Sequence, residues 1–273
     1  LRRIKMTPEE QKAFFYDQGY LVVEDVVSPE ELAECEKEIR KLHILAADLA
    51  GSGDKRSGSF QREPYARDKE QDGLPVLRKI EQTRDFSNVF KNLAAHSKLV
   101  PVVQNLIGPD LLLFRSTLML KPAFHGSSHG FHQDSAYWPM EPPALVTVSI
   151  ALTDAYSKNG CIRVIPRSHK WGMQKWGDIA RPQDAKLTDR KNLDTSQAIE
   201  VPLKAGTALL FHSLCVHGSG PNHSPRSRHT ALYAYFPPTV RYIARGSDSS
   251  RTFPVIAGLE GREEVTMVAE SAA

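Results

Sequence analysis

Apolar positions fall into two regimes along the chain. In the first hundred or so residues they recur at helical spacing. Thr7-Pro8-Glu9-Glu10 combines a capping residue, a proline suited to the first helical position and early acids, and Phe14 and Phe15 follow, so a helix opens here and Gly19 ends it. Tyr20-Leu21-Val22-Val23 reads as a short strand. Ser28-Pro29-Glu30-Glu31 repeats the start signal ahead of Leu32, Cys35, Ile39, Leu42 and Leu45, the apolar stripe of a long amphipathic helix. Residues 51–75 break the pattern with Gly, Ser and charge and few apolar anchors. That stretch is either a solvated loop or a mobile lid over a site. Val76–Ile80 fits a strand, and Phe86–Ile107 fits two short helices.

From Asp110 the period changes. Leu111–Phe114 and Thr117–Leu120, then Leu145–Leu152, Cys161–Ile165, Thr207–Phe211 and Thr230–Phe236 are strand-like runs. Lys158-Asn159-Gly160, Pro166-Arg167-Ser168 and Lys204-Ala205-Gly206 supply turns between them. Short strands at this spacing predict a sandwich or barrel. Residues 168–198, polar and carrying Trp171 and Trp176, read as an insertion between strands. The expectation is one α+β domain with a mainly β core over residues 1–273: a helical layer over about 7–107, the core over about 110–237 and a tail from 238 to 273.

Composition narrows the function classes. A chain of 273 residues buries roughly three-quarters of its unfolded surface, so a core is assured. Lys plus Arg exceeds Asp plus Glu by only three charges, which argues against nucleic acid as a partner. Even the most apolar stretch, Leu106–Leu120, falls short of the roughly 18 residues a membrane span needs. The basic start, Leu1-Arg2-Arg3-Ile4-Lys5, leads into no apolar signal core. Cys35, Cys161 and Cys215 are odd in number and form no CxxC, against a disulfide framework, so a reducing cytoplasm is the expected compartment. Oligomeric state has no signature here.

The candidate chemistry lies in His125-Gly126-Ser127-Ser128-His129-Gly130-Phe131-His132-Gln133-Asp134. On an extended strand, residues two apart share a face, so His132 and Asp134 aim an imidazole and a carboxylate at one point. His217, at the end of an apolar strand before Gly218, is the best third ligand. Two histidines and one carboxylate with open positions suit a non-haem iron. If a dicarboxylate chelates that metal, its far end needs a buried cation. Arg228, eleven residues after His217, offers a bidentate fork, although Ser224-Pro225-Arg226-Ser227-Arg228 alone reads equally well as a solvated turn.

Four ordered pieces resemble the phytanoyl-CoA dioxygenase family: His132-Gln133-Asp134 with Tyr137-Trp138, Asn159-Gly160-Cys161 leading to Pro166-Arg167-Ser168-His169-Lys170, His217-Gly218-Ser219, and Arg228. The resemblance runs from about residue 7 to 237. It implies a double-stranded β-helix (a jelly-roll, cupin-like barrel) and an Fe(II)- and 2-oxoglutarate-dependent dioxygenase. Such an enzyme uses O2 to hydroxylate a small molecule while 2-oxoglutarate becomes succinate. By that resemblance His132, Asp134 and His217 are the iron ligands, Arg228 binds the far carboxylate of 2-oxoglutarate and Ser219 lies beside it. Lys79 is similar to a lysine that also touches the co-substrate. Thr117 and Ile150 stand where family members carry a methionine and a tryptophan against it, two departures in the pocket wall. An aspartate at 134, where related halogenases have a small residue, implies hydroxylation or a related oxidation.

Other residues keep more than one reading. His129 could line the substrate pocket or sit in a loop, His125 is expected on the surface, and His169 is expected to fix the turn after Pro166. His212 should point away from His217 by strand parity, whereas Cys215 shares its parity. Tyr137, Trp138 and Met140 suit either a substrate wall or the core. Two other functions use the same residues: a zinc hydrolase or isomerase on His129, His132 and His217, and a non-enzymatic binding protein. Arg62, Arg67, Arg163 and Arg167 would suit an anionic substrate, while the tryptophans would suit an apolar one.

Overall fold

Both N-terminal start signals fold as their residues dictate. In the computed structural model, which describes residues 6–174, 193–243 and 249–270, α1 (Pro8–Gln18) and α2 (Pro29–Ser52) each open with a capping box. Thr7 and Ser28 accept from the backbone N–H of Glu10 and Glu31, whose carboxylates accept from the cap N–H in return. Gly19 closes α1 at φ 84°, a conformation that only glycine adopts without strain. The expected pair of short helices is α3 (Asn88–Ala94) and α4 (Val100–Ile107).

Beside two two-stranded pairs, Glu70–Gln71 with Leu74–Pro75 and Met140–Glu141 with Arg241–Tyr242, two main sheets, of nine and four strands, form most of the rest. Their strands in chain order are β1 (Tyr20–Val23), β2 (Phe60–Arg62), β3 (Leu77–Glu81), β4 (Leu111–Lys121), β5 (His129–His132), β6 (Val146–Ala151), β7 (Ile162–Val164), β8 (Ile199–Val201), β9 (Ala208–His212), β10 (His217–Ser219), β11 (Arg228–Phe236), β12 (Ser250–Ala257) and β13 (Glu264–Val268). The large sheet runs β1-β9-β6-β11-β4-β12-β13, and the small one β8-β7-β10-β5. On its other edge β4 pairs with β12 near Leu112 and with β3 from Thr117 to Met119, and β2 adds to β3. All these pairings are antiparallel. From β4 to β11 the chain crosses repeatedly between sheets: β4, β6, β9 and β11 lie in the large one, and β5, β7, β8 and β10 in the small one.

Period-two alternation sets which side chains enter the space between the sheets. Along β6, Val146, Val148 and Ile150 join the core beneath the helices, whereas Thr147 and Ser149 face inward. Along β4, Leu118 and Leu120 face the helices and Thr117 and Met119 the interior. The helical layer supplies Ile39, Leu42, Phe90, Leu93 and Val103 to that core. Each such fully buried apolar side chain contributes roughly 1.5–3 kcal/mol. Tyr233 and Tyr235 anchor α3 to the sheet through hydrogen bonds of 2.8 Å from their hydroxyls to the carbonyls of Phe90 and Ala94.

The structure departs from the expectations in several places. Residues 250–268, expected within a tail, fold as the β12–β13 hairpin on the edge of the large sheet. Ile150 does not wall the interior, because strand parity turns it to the helices and gives that place to Ser149. Within 51–75, Glu63 is fully buried and accepts from the backbone N–H and hydroxyl of Ser127, so this loop is tied to the segment that precedes β5. Trp176 and most of the expected insertion lie outside the described residues. Among the described residues no helix is long and apolar enough to cross a membrane. All three cysteines are buried and unpaired.

Candidate active site

Between the sheets lies a cavity of about 150 Å³. One end of it is built where β5 pairs with β10. His132 sits opposite His217, and His129 opposite Ser219, so Gly130 and Phe131 of β5 together oppose the single Gly218 of β10. That bulge turns both His129 and His132 into the cavity, which strict alternation would forbid. Gly218 makes the close approach possible, since a Cβ there would lie 2.9 Å from the carbonyl oxygen of His129. His217 is not the end of the preceding apolar strand, as its spacing suggested. The strand β9 stops at His212, a turn follows, and His217 begins a strand of the other sheet. Asp134 likewise is not on an extended strand with His132. It opens a single 3₁₀ turn (Asp134–Ala136) just after β5, and this turn brings its carboxylate back toward the histidines.

One donor atom each from His132, Asp134 and His217 lies within 4.8 Å of the others. The Nε2 atoms of His132 and His217 are 3.4 and 3.8 Å from Asp134 Oδ1. Each imidazole donates its Nδ1–H to a backbone carbonyl, His132 to Gly130 at 2.9 Å and His217 to Cys215 at 3.0 Å. Both Nε2 lone pairs therefore face the carboxylate. Thr147 donates from Oγ1 to the second oxygen, Asp134 Oδ2, at 2.6 Å. Burial, with His132 beside it, brings the His217 pKa down to about 4 against the pull of Asp134. Burial would raise the Asp134 carboxyl, but His217, His132 and Thr147 outweigh it and hold the group below the usual carboxylate range. Two Nε2 atoms this close to an ionised carboxylate call for positive charge in the space they share, supplied by protons on the rings or by a metal ion. The three donors thus fit a divalent metal that accepts nitrogen and oxygen ligands.

Arg228 lies at the other end of the cavity. It starts β11 opposite Lys121, whereas Ala234, three inward positions further along, sits opposite Thr147. Arg228 is 4% exposed. One guanidinium nitrogen donates to the carbonyl of Gly160, and its buried Nε has no hydrogen-bond partner. Among the described residues no carboxylate pairs with it. Burial lowers its pKa to about 10, which leaves it charged at neutral pH. Gly160 has φ 72°, and a Cβ there would collide with the carbonyl of Gly220, so the Asn-Gly-Cys turn needs glycine to present its carbonyl to the arginine. Ser219 is buried and lines the cavity with Arg228.

Lys79 and Thr117 also line the cavity, and both are already engaged. The ammonium of Lys79 pairs with Glu81, and Glu81 also accepts from Arg115 at 2.7 and 2.8 Å and from the Thr117 hydroxyl at 3.4 Å. His129 faces the interior, and Arg78 donates to its Nε2 at 3.0 Å. The trio His129, His132 and His217 is therefore not assembled as a ligand set. Trp138 reaches the cavity while packing on Phe114, and Met140 belongs to the core. His212 points away, toward Phe15 and His169, and Cys215 is buried in a separate apolar cluster. His169 approaches the Tyr16 carbonyl at 3.0 Å and fixes its own turn to α1. Thr147, Arg115 and Arg78 were not singled out from the sequence. The first two had a signal in the polar positions that alternate with apolar ones in Val146–Ala151 and Leu111–Lys121. Arg78 had none, because it sits at a register shift between β2 and β3.

Comparison with known proteins places this geometry in context. The profile of a family described as Phytanoyl-CoA dioxygenase (PhyH) matches residues 15–230. A probable alpha-ketoglutarate-dependent hypophosphite dioxygenase of Stutzerimonas stutzeri is 26% identical over 230 residues, covering 83% of this chain and 77% of that protein. An ectoine dioxygenase of Nocardia farcinica is 30% identical over 235 residues, covering 80% and 74%. The crystal structure of EctD from S. alaskensis with bound Fe superposes with a TM-score of 0.67 at 25% identity, covering 99% of this chain and 90% of that one.

Proposed function

The chain belongs to the phytanoyl-CoA dioxygenase family, and from that membership we propose a specific assignment of its residues. The protein is an Fe(II)- and 2-oxoglutarate-dependent dioxygenase. His132, Asp134 and His217 hold the iron. Arg228 takes the far carboxylate of 2-oxoglutarate, with Ser219 beside it and Lys79 and Thr117 along the wall. Iron held by these three residues would be chelated by 2-oxoglutarate and would supply the O2-dependent oxidising chemistry for hydroxylating a substrate C–H bond, with 2-oxoglutarate converted to succinate and carbon dioxide.

The chain's own groups do the positioning. The carbonyls of Gly130 and Cys215 fix both imidazoles with Nε2 toward the metal, and Thr147 fixes the rotation of Asp134. Arg228 brings a buried charge that 2-oxoglutarate can neutralise, and its fork sets the direction in which a dicarboxylate lies. Trp138, Leu232 and Phe211 give the cavity apolar walls that limit water. The convergence of two imidazole lone pairs on one ionised carboxylate carries the assignment.

The alternation of strands between two sheets supports reading the core as a double-stranded β-helix within a single domain. The substrate in this reading is a small molecule, taken from solution. Three reduced, buried thiols are compatible with the cytoplasm. A zinc hydrolase on His129, His132 and His217 finds no support in the geometry, because Arg78 already occupies His129 Nε2.

The test is metal and co-substrate stoichiometry. The purified protein should bind one Fe(II) and convert 2-oxoglutarate to succinate under air, and the double variant His132→Ala/His217→Ala should lose both. Retention of metal by that double variant would refute the assignment.

A further inference from the structure

The charged side chains of the cavity do not balance once the assigned roles are filled. Iron is met by Asp134 and one carboxylate of 2-oxoglutarate, and Arg228 by the other carboxylate. Lys79 and Arg115, which both line the cavity, then share the single carboxylate of Glu81, so one positive charge is left over. These three side chains are between 18% and 30% exposed, partly withdrawn from water but reachable through the cavity. An unmatched charge in such a place carries a desolvation cost that a bound anion removes.

Arg115 is the group with a donor to spare. Its Nε donates to Thr117 at 3.0 Å, and one terminal nitrogen donates to both oxygens of Glu81 at 2.7 and 2.8 Å. The other terminal nitrogen has no partner among the described residues. Glu81 and Thr117 hold the guanidinium plane, so that nitrogen is presented in a fixed direction at little further cost in side-chain entropy. Strand register places it at the metal end. Arg115 is opposite Ala234 on β11, and Ala234 is opposite Thr147, which supports Asp134. Arg228 lies three inward positions away along the same strand. The two arginines therefore address opposite ends of one cavity, with Leu232 between them along β11 and Trp138 also in the cavity wall.

We propose that Arg115, oriented by Glu81 and Thr117, anchors an oxyanion of the primary substrate, which is thus a small molecule carrying a carboxylate or a similar monoanionic group next to an apolar part. This rests on the Fe(II)/2-oxoglutarate reading and deepens it. The apolar part lies against Trp138 and Leu232, and the anion sets which C–H bond faces the metal.

The experiment is equilibrium binding by calorimetry, without oxygen, to the protein loaded with Fe(II) and saturating 2-oxoglutarate. The probes are phenylacetate, 3-methylbutyrate and octanoate, each beside its primary amide. Loading itself is followed by the visible band of the iron–2-oxoglutarate complex, and absence of that band would sink the functional reading rather than this one. The wild type should prefer at least one carboxylate over its amide by about tenfold, the worth of a charge-assisted hydrogen bond. Arg115→Gln should abolish that preference, and Arg115→Lys should keep part of it. Glu81→Gln should strengthen carboxylate binding, because the amide oxygen and Thr117 still accept from Arg115 and hold its plane while the competing negative charge is gone, whereas a purely structural ion pair would weaken it. The proposal is overturned by no preference in the wild type, by a preference that survives Arg115→Gln, by loss of the preference as 2-oxoglutarate is raised, or by weaker carboxylate binding in Glu81→Gln.

Discussion

Thr147 holds Asp134 from behind: its hydroxyl donates to Oδ2 at 2.6 Å, while Oδ1 faces the Nε2 atoms of both histidines. The threonine belongs to β6 of the large sheet, whereas both histidines belong to strands of the small one. Thr147→Val preserves shape and burial but removes the donor. Its expected effect is a roughly 10- to 100-fold loss of Fe(II) affinity with little change in melting temperature. Competition with a chromophoric chelator measures it, and unchanged affinity would remove Thr147 from the metal site.

Gly218 leaves room for the bulge that turns His129 and His132 inward. A Cβ at this position would lie 2.9–3.0 Å from backbone atoms of His129, Gly130 and Phe131, which are not flexible side-chain ends. Gly218→Ala should shift His132 relative to His217 and weaken metal binding while the protein stays folded. Metal titration beside a far-ultraviolet dichroism spectrum separates the two effects, and full affinity in this variant would contradict the close-approach argument.

Motifs in the sequence made the chemistry legible, and register made the rest hard to see. His132, Asp134, His217 and Arg228 could be picked out because the chemistry needs those residue types and four ordered pieces carry them. That they converge could not be read from parity. Asp134 reaches the site from a turn rather than a strand, and His217 starts a strand instead of ending one. His129 faces inward only because of a one-residue bulge, a feature with no compositional mark. The β12–β13 hairpin was illegible for another reason. As an edge element it is only partly buried, so Ser250–Ala257 shows no clean alternation and carries Pro254 within it. The helical layer was plain from its capping boxes, where the signal is local.

His212 gives the fold a pH dependence of its own. Burial, with a smaller contribution from His169, lowers its pKa from 6.5 to about 4. The unfolded chain therefore takes up a proton below about pH 6.5 that the folded protein refuses until about pH 4. Stability is full above that window and falls as pH drops through it, with a slope of at most about 1.4 kcal/mol per pH unit from this residue. Thermal melts between pH 7.5 and 4.5 should show that decline. His212→Phe should lower the starting value, by losing the hydrogen bond from Leu214 N–H, and flatten the slope. An equally steep slope in the variant would assign the effect elsewhere.

Tyr233 ties the β core to the helical layer through its 2.8 Å hydrogen bond to the Phe90 carbonyl. Tyr233→Phe keeps the ring packing and removes one buried hydrogen bond, so about 1 kcal/mol of unfolding free energy should be lost. Urea denaturation measures it. A loss below about 0.3 kcal/mol would mean that the hydroxyl contributes little net stability.

The most direct test of the central claim is a visible titration without oxygen. Metal-free protein is loaded with Fe(II) and then with 2-oxoglutarate, in the wild type and in Arg228→Ala. The wild type should develop the weak charge-transfer band of chelated 2-oxoglutarate. The variant should bind iron equally well and need roughly 10 to 100 times more 2-oxoglutarate, the cost of a lost charge-assisted fork. Iron binding with no band in the wild type, or the same 2-oxoglutarate requirement in both proteins, would contradict the account.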